Sequence, residues 1–277
     1  MMFVDFARAH GVLIGRLIEG RWVRVATEDK PKSRNGAYRY LGDVGFVQNW
    51  ATMTEPATWR PEGASAVGEH RRVQRIADQA HQEATEAARK AAQKAAAILG
   101  DCELAPHPYL AAKGFPDELV NVWNRDTDNV MVVPMKVGRN LVGCQLIKPD
   151  GDKKFLYGQR SGGAEFVMGI KGTHVLCEGY ATALSTQQAL RNLKVPYVLH
   201  VTFSAGNMKK VAATLPGGLV IADNDASGTG ERVARDIGWP YWMSDTVGED
   251  ANDYSQRRGV FALAMGIKQA MATRMRA

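Results

Sequence analysis

Apolar and polar positions change rhythm several times along this chain, and each change marks a different kind of element. Residues 1–60 read as a small β-leaning unit, in which Leu17 to Thr27 (LIEGRWVRVAT) alternates apolar and polar positions around Gly20, the pattern of a hairpin. Pro61 to Gly63 break that pattern. From Ala66 to Leu99 the chain lacks periodic large apolar residues and is dominated by Ala, Glu, Gln, Lys and Arg, with Gly100 placed to stop a helix. A helix of roughly 30 residues reaches about 45 Å, so residues 61–100 are expected to form a long helical spacer with a mostly alanine face.

After Gly100 the pattern becomes mixed. Pro108 to Gly114 (PYLAAKG) predicts a short helix and turn, and Val130–Pro134 and Leu141–Ile147 predict strands joined near Gly138–Asn140. Pro149–Gly151 reads as a further turn. From Gly172 onward, strand and helix alternate. Thr173–Cys177, Val195–Thr202, Leu219–Ala222 and Tyr241–Met243 are strand-like. Between them lie helical stretches at Ala181–Leu193, Met208–Thr214 and Gly228–Ile237. Such alternation predicts a parallel sheet with helices on both faces. The expected organisation is therefore an α/β chain in five parts: 1–60, a small basic N-terminal unit; 61–100, the helical spacer; 101–170, a mixed α/β subdomain; 171–255, the parallel-sheet domain; and 256–277, a C-terminal helix.

Composition narrows the class. The chain has 277 residues, 45% of them apolar, with no run near the roughly 20 apolar residues of a membrane-spanning helix. The N-terminal MMFVDFARAH lacks a signal-peptide plan, so a cytoplasmic protein with no membrane partner is expected. Cys102, Cys144 and Cys177 stand singly, which argues against disulfides and against a zinc ribbon. The six histidines, His10, His70, His81, His107, His174 and His200, are too scattered in sequence to suggest a metal site.

The net charge of +6 matters by its location. Residues 1–100 hold 15 basic and 11 acidic residues, residues 101–170 hold 8 and 9, and residues 171–277 hold 12 and 9. In the first segment Arg21, Arg24, Lys32, Arg34 and Arg39 are interleaved with Trp22, Tyr38 and Tyr40. Basic groups attract phosphate and aromatic rings stack on bases, so these residues are candidate template contacts; a solvated hairpin with core aromatics is the alternative. A second block, Lys148, Lys153, Lys154 and Arg160, lies beside a glycine-rich loop that could hold nucleic-acid or nucleotide phosphate; an exposed hairpin tip is the alternative.

The acids fall where an α/β sheet builds its sites. Glu178 follows one predicted strand and Asp223-Asn224-Asp225 follows another, and ligands of open sheets bind beyond such strand ends. Oxygen ligands of this kind suit Mg²⁺ or Mn²⁺ and not zinc. Asp225 has a second reading, as a cap for the helix that begins after Ser227.

The motifs VLCEGY, LVIADND and GEDANDY, in that order, resemble the Toprim domain of bacterial-type primases, type IA and II topoisomerases and some nucleases. The stretches CEGYATALS, FSAGNMKKVA, ADNDASGTGERVA and GEDANDY are similar to primases encoded by plasmids and phages. HPYLAAKG, VVPM and QLIKPDGDKKFLYG resemble segments upstream in that group, so the likeness covers residues 105–255. VRVATEDKPKSRNGAYRY also resembles, more weakly, the leading segment of such proteins.

The resemblance implies a Toprim fold, a Rossmann-like parallel sheet with flanking helices, and a DNA primase. Such an enzyme is a DNA-directed RNA polymerase and nucleotidyltransferase. It makes short RNA primers on single-stranded DNA from nucleoside triphosphates, in phage or plasmid replication in a bacterial host. Glu178, Asp223 and Asp225 would be catalytic, and Glu178, Asp223, Asp225, Asp250 and Asp253 would hold Mg²⁺ or Mn²⁺. Lys153 or Lys154 would meet phosphate, and a separate replicative helicase would be a partner. This chain departs from chromosomal primases at Thr182 and Asn252, where they carry acids, and it lacks their zinc ribbon. No Walker-type loop is present, which excludes a helicase of that kind. Two alternatives keep part of this reading: a Toprim-type metal-dependent nuclease, and a non-catalytic nucleic-acid-binding replication accessory.

Overall fold

The computed structural model describes residues 1–53, 55–61, 66–125 and 128–273. Of the break expected at Pro61–Gly63 only Pro61 is among them, and of the expected C-terminal helix residues 274–277 are outside them. The chain divides into two compact units, Met1–Thr85 and Glu86–Ala277.

The first unit opens with helix α1 (Phe3–Ala9). A four-stranded antiparallel sheet follows, β1 (Trp22–Val25), β2 (Gly36–Tyr40), β3 (Gly45–Asn49) and β4 (Ala57–Trp59), in sequential order. Strand residues alternate between faces, and the register sets Val23, Tyr38, Val47 and Ala57 in one row. That face buries Phe3, Ala7, Val12, Tyr38, Val47 and Trp59 into a small core. The expected hairpin at Leu17–Thr27 is not formed, because β1 pairs with β2. The Tyr38 hydroxyl explains the difference: it accepts from Ile18 N–H at 2.9 Å and donates to Arg16 C=O at 2.8 Å. Two backbone groups before Gly20 are thus satisfied by a side chain, and Glu19 and Gly20 bridge to Tyr40 of β2, so the segment does not pair with β1.

Helix α2 (Ala66–Gly100) runs across the division between the units. Its last turns are more than a spacer. Within the second unit Ala91, Ala95 and Ile98 pack with Val132, Cys144 and Leu156. Alanine suits this contact because it costs no side-chain entropy and lets a helix lie close to a sheet.

The second unit contains two sheets. The first comprises β5 (Glu103–Ala105), β6 (Val120–Arg125), β7 (Asp128–Val137), β8 (Asn140–Ile147) and β9 (Lys153–Phe155), an antiparallel run in chain order, with helix α3 (Pro108–Ala112) after β5. The second follows the alternation expected from sequence: β10 (Phe166–Met168), β11 (Thr173–Cys177), α4 (Tyr180–Asn192), β12 (Tyr197–Val201), α5 (Ala205–Ala212), β13 (Gly218–Ala222), α6 (Thr229–Ile237), β14 (Tyr241–Met243), α7 (Ala251–Arg258) and α8 (Val260–Thr273). Its strand order is β10-β12-β11-β13-β14, parallel throughout except for the edge strand β10. The single C-terminal helix expected over 256–277 is instead the end of α7 and then α8, separated at Gly259.

This sheet is covered on both faces, which is why its strands are apolar runs and not alternations. Val175, Cys177, Leu219 and Ile221 share a core with Leu184 and Leu190 of α4 and Leu263 and Ile267 of α8. Leu176, Val220 and Ala222 face the other way, toward Met208 and Val211 of α5 and Val233 of α6. Each such fully buried side chain contributes about 1.5–3 kcal/mol. Both sheets of the unit contribute to the larger core, through Val122 and Met131 of the first sheet. The fold is mixed α/β. Among the described residues, no helix is long and apolar enough to cross a membrane.

Candidate functional site

Strand β11 lies at the centre of the second sheet, between β12 and β13. The chain leaves β11 through α4 to β12 on one side. It then returns past β11, through α5, to reach β13 on the other. Connections from neighbouring strands that diverge in this way open a crevice at their carboxyl ends. Glu178 directly follows β11, and Asp223 directly follows β13. The crevice therefore has one carboxylate on each lip.

The electrostatics are strained. Burial, together with the nearby Asp250 and Glu178 carboxylates, pushes Asp223 up to about 7, against the pull of Lys153. Its Oδ1 is buried and has no hydrogen-bond partner among the described residues. Glu178 is also raised, mainly by burial, although the Ala205 N–H donates to it and Lys153 is close. That N–H is brought into place by the turn after β12. There Phe203 takes a left-handed conformation (φ 65°), and Ser204 caps α5 by accepting from Asn207 N–H at 3.3 Å. A left-handed non-glycine residue is uncommon and here shapes the crevice wall.

Asp225 behaves differently. It accepts from the Ser227 hydroxyl and from the backbone N–H groups of Ser227 (2.8 Å), Thr229 (3.3 Å) and Gly230 (3.0 Å). The Ser227 hydroxyl first, and then these amides, lower Asp225 to about 2. The capping role read from sequence is thus the one seen, and it keeps this carboxylate ionised beside the crevice. Gly230 is required by the same turn, since a β-carbon there would lie 2.1 Å from the Asp223 carbonyl oxygen.

Asp250 and Asp253 form a capping box at the start of α7, with Asp250 accepting from Asn252 N–H at 2.7 Å and Asp253 N–H at 2.9 Å. Thr182 Oγ1 donates to Asp250 Oδ2 at 3.1 Å. Asp253 pairs with Lys113 at 3.0 Å. Asn252 is buried and donates to the Lys113 carbonyl (2.8 Å) and to Ser185 Oγ (3.0 Å). The two departures noted in the sequence thus have structural work: Thr182 orients Asp250, and Asn252 ties α7 to α3 and α4.

The basic block separates by strand alternation. Lys153 projects toward the acids, acting on both Glu178 and Asp223, and its Nζ lies 5.7 Å from the Tyr109 ring centre. Lys154 points to the other face and pairs with Asp152 at 3.1 Å. Arg160 donates to Gly162 C=O at 3.1 Å, and Lys148 engages Asp152 through its backbone N–H at 2.9 Å.

Two features were not visible in the sequence. Lys113, whose pKa is raised by Asp253 and Asp250 despite its burial, meets its partner across 140 positions. His174 Nδ1 and His200 Nε2 lie 2.9 Å apart, and His200 Nδ1 lies 2.7 Å from Glu165 Oε2. Two of the scattered histidines are therefore joined, while the side chain of His70 is outside the described residues.

Among the described residues, no three His, Cys, Asp or Glu side chains converge closely enough to hold a metal ion. A protein cage is not a requirement for Mg²⁺, which keeps several waters and commonly takes one or two carboxylates plus substrate phosphates. The unpaired Asp223 oxygen and the surplus negative charge around it fit such a cation. No protein-family model matches the chain, and no curated protein matches it in sequence.

Proposed function

We propose that the second unit is a Toprim domain and that the chain is a DNA primase. It would make short RNA primers on single-stranded DNA from nucleoside triphosphates. One observation carries this reading: at the crevice between β11 and β13, Asp223 is buried with an unpaired oxygen, crowded by Glu178 and Asp250, and faced by Lys153. Carboxylates in that position are poorly arranged for their own stability and well arranged for a divalent cation with a phosphate-bearing substrate.

Asp223 and Asp250, with Asp225 beside them, would hold Mg²⁺ or Mn²⁺. When bound, such an ion neutralises phosphate charge and aligns the attacking and leaving oxygens. The side chains do the rest. Lys153 attracts the triphosphate and offsets the charge of the acids. Glu178, raised above the ordinary carboxylate range by burial, is suited to accept the proton of the attacking hydroxyl. The Ala205 N–H holds its carboxylate in place.

The test is direct. The protein is incubated with single-stranded DNA, labelled ribonucleotides and Mg²⁺ or Mn²⁺, and the products are sized. Short RNA is expected, and Glu178→Ala and Asp223→Ala should each reduce it by at least about 100-fold. Template shortening without synthesis would replace the primase with a nuclease. Synthesis that survives both substitutions would refute the site.

A further inference from the structure

The outer face of the first unit's sheet is unlike its inner face. The register places Trp22 beside Arg39, Arg39 beside Phe46 and Phe46 beside Thr58, so these four form one row on the side away from α1's contacts with Tyr38 and Trp59. In the same face Arg24 stands two residues from Trp22, and Trp50 follows β3 two residues beyond Gln48. The Arg24 guanidinium lies 3.9 Å from the Trp50 ring centre, and Trp22 and Phe46 have ring centres 6.4 Å apart. Arg24 also donates to the Arg34 carbonyl at 3.1 Å, which holds the loop before β2 beside Arg24.

Large aromatics on a sheet face ordinarily mark a core, but these are open. Trp22 is 46% exposed and Trp50 is 47% exposed, whereas Trp59 on the inner face is 7% exposed. Leaving two indoles half in water costs stability. The charge is one-sided too. Residues 21–39 hold six basic side chains against Glu28 and Asp29, and none of the four strands contains an acid. A hydrophobic protein partner would not call for that excess of cations among the rings. A duplex would meet the cations but could not present its bases to the rings. Unstacked bases on a phosphate backbone meet both requirements.

We infer that this face is a binding platform for a single-stranded polynucleotide, with Trp22, Phe46 and Trp50 stacking on bases and Arg24, Arg34 and Arg39 lying along the phosphates. The inference rests on the first unit alone and stands whether or not the second unit is a primase.

The experiment measures binding by the full chain in an Asp223→Asn background, where primer synthesis is not the readout, so failure here leaves the catalytic reading untouched. Labelled oligothymidylate, oligouridylate and a duplex of equal length are titrated at several salt concentrations, with tryptophan fluorescence recorded in parallel. Single strands should bind more tightly than duplex and quench the fluorescence. Trp22→Ala and Trp50→Ala should each weaken binding roughly 5- to 100-fold, while Trp22→Phe keeps most of it. Arg24→Ala should reduce the salt slope by roughly 0.7. A preference for thymidylate or uridylate would identify the ligand as DNA or RNA, and equal binding would identify stacking and phosphate as sufficient; all three support the platform. Wild-type affinity in both Trp→Ala variants, or a duplex bound as tightly as a single strand, would overturn it. Should Trp22→Ala fail to fold, Trp50→Ala and Arg24→Ala decide the matter.

Discussion

At the scale of single residues, Asp223 gives the sharpest consequence. Its carboxyl is raised to about 7 in the folded chain, chiefly by burial and then by Asp250 and Glu178, whereas an unfolded aspartate titrates near about 4. The folded state therefore holds the proton more tightly. Stability from this group is fully present below about pH 4 and is lost as pH rises to about 7, a penalty on the order of a few kcal/mol. Asp223→Asn removes the charge and should raise the thermal midpoint at pH 8 in the absence of divalent metal. Mg²⁺ or Mn²⁺ should raise the midpoint of the wild type and not of the variant. Thermal melts at pH 5 and pH 8, with and without metal, check this; a variant no more stable than wild type at pH 8 would mean that Asp223 is not strained. The order of acids was legible in the sequence because each follows a strand. Their individual circumstances were less so: the cap at Asp225 could be read locally, but nothing local reveals that Lys153 rather than Lys154 faces the crevice, or that Lys113 meets Asp253 from 140 positions away.

At the scale of elements, the start of α6 shows how tightly backbone and site are joined. Gly228 adopts a left-handed conformation (φ 64°), and Gly230 leaves no room for a β-carbon beside the Asp223 carbonyl. Gly230→Ala should therefore destabilise the chain by roughly 1–3 kcal/mol and shift Asp223 itself. Gly206 in α5 supplies the control, since a β-carbon there meets nothing within 4 Å; Gly206→Ala should be neutral or stabilising by up to about 1 kcal/mol. Denaturant unfolding of the two variants tests the contrast, and equal effects would show that the contact at Gly230 relaxes freely. The parallel strands were readable because burial on both faces writes them as short apolar runs. Leu17–Thr27 misled for the opposite reason. Its alternation is real, but Tyr38 supplies the hydrogen bonds that a partner strand would have supplied. The edge strand β10 spans only three residues, too few to establish a period.

At the scale of the whole molecule, the division at Thr85 and Glu86 falls inside α2, a place where composition gives no boundary signal. Alanine-rich helix reads the same on both sides of that point. What distinguishes the sides is tertiary: Ala91, Ala95 and Ile98 have Val132, Cys144 and Leu156 to pack on. The second unit carries its own core from both of its sheets, so residues 86–277 alone should unfold in one cooperative transition and keep the pH dependence expected of Asp223. Loss of cooperativity in that fragment, followed by near-ultraviolet circular dichroism, would show that the unit depends on the first 85 residues. The mixed α/β class was legible from alternation of elements. The sharing of one core by two sheets was not, because contacts between Val122 or Met131 and the later strands leave no local periodicity.

If the proposed site holds a divalent cation, the cap at α6 would turn its affinity into a contest. The Asp225 carboxylate already accepts from one hydroxyl and three amides. An ion that recruits it must leave those donors without their acceptor, a loss of about 1 kcal/mol for a typical helix cap. The helix start would thereby act as a threshold: an ion satisfied by Asp223 and its neighbours would leave α6 intact, and one that demanded another carboxylate would fray it. Selectivity among divalent cations would then be set partly by the rigidity of a helix end, and not by the acids alone.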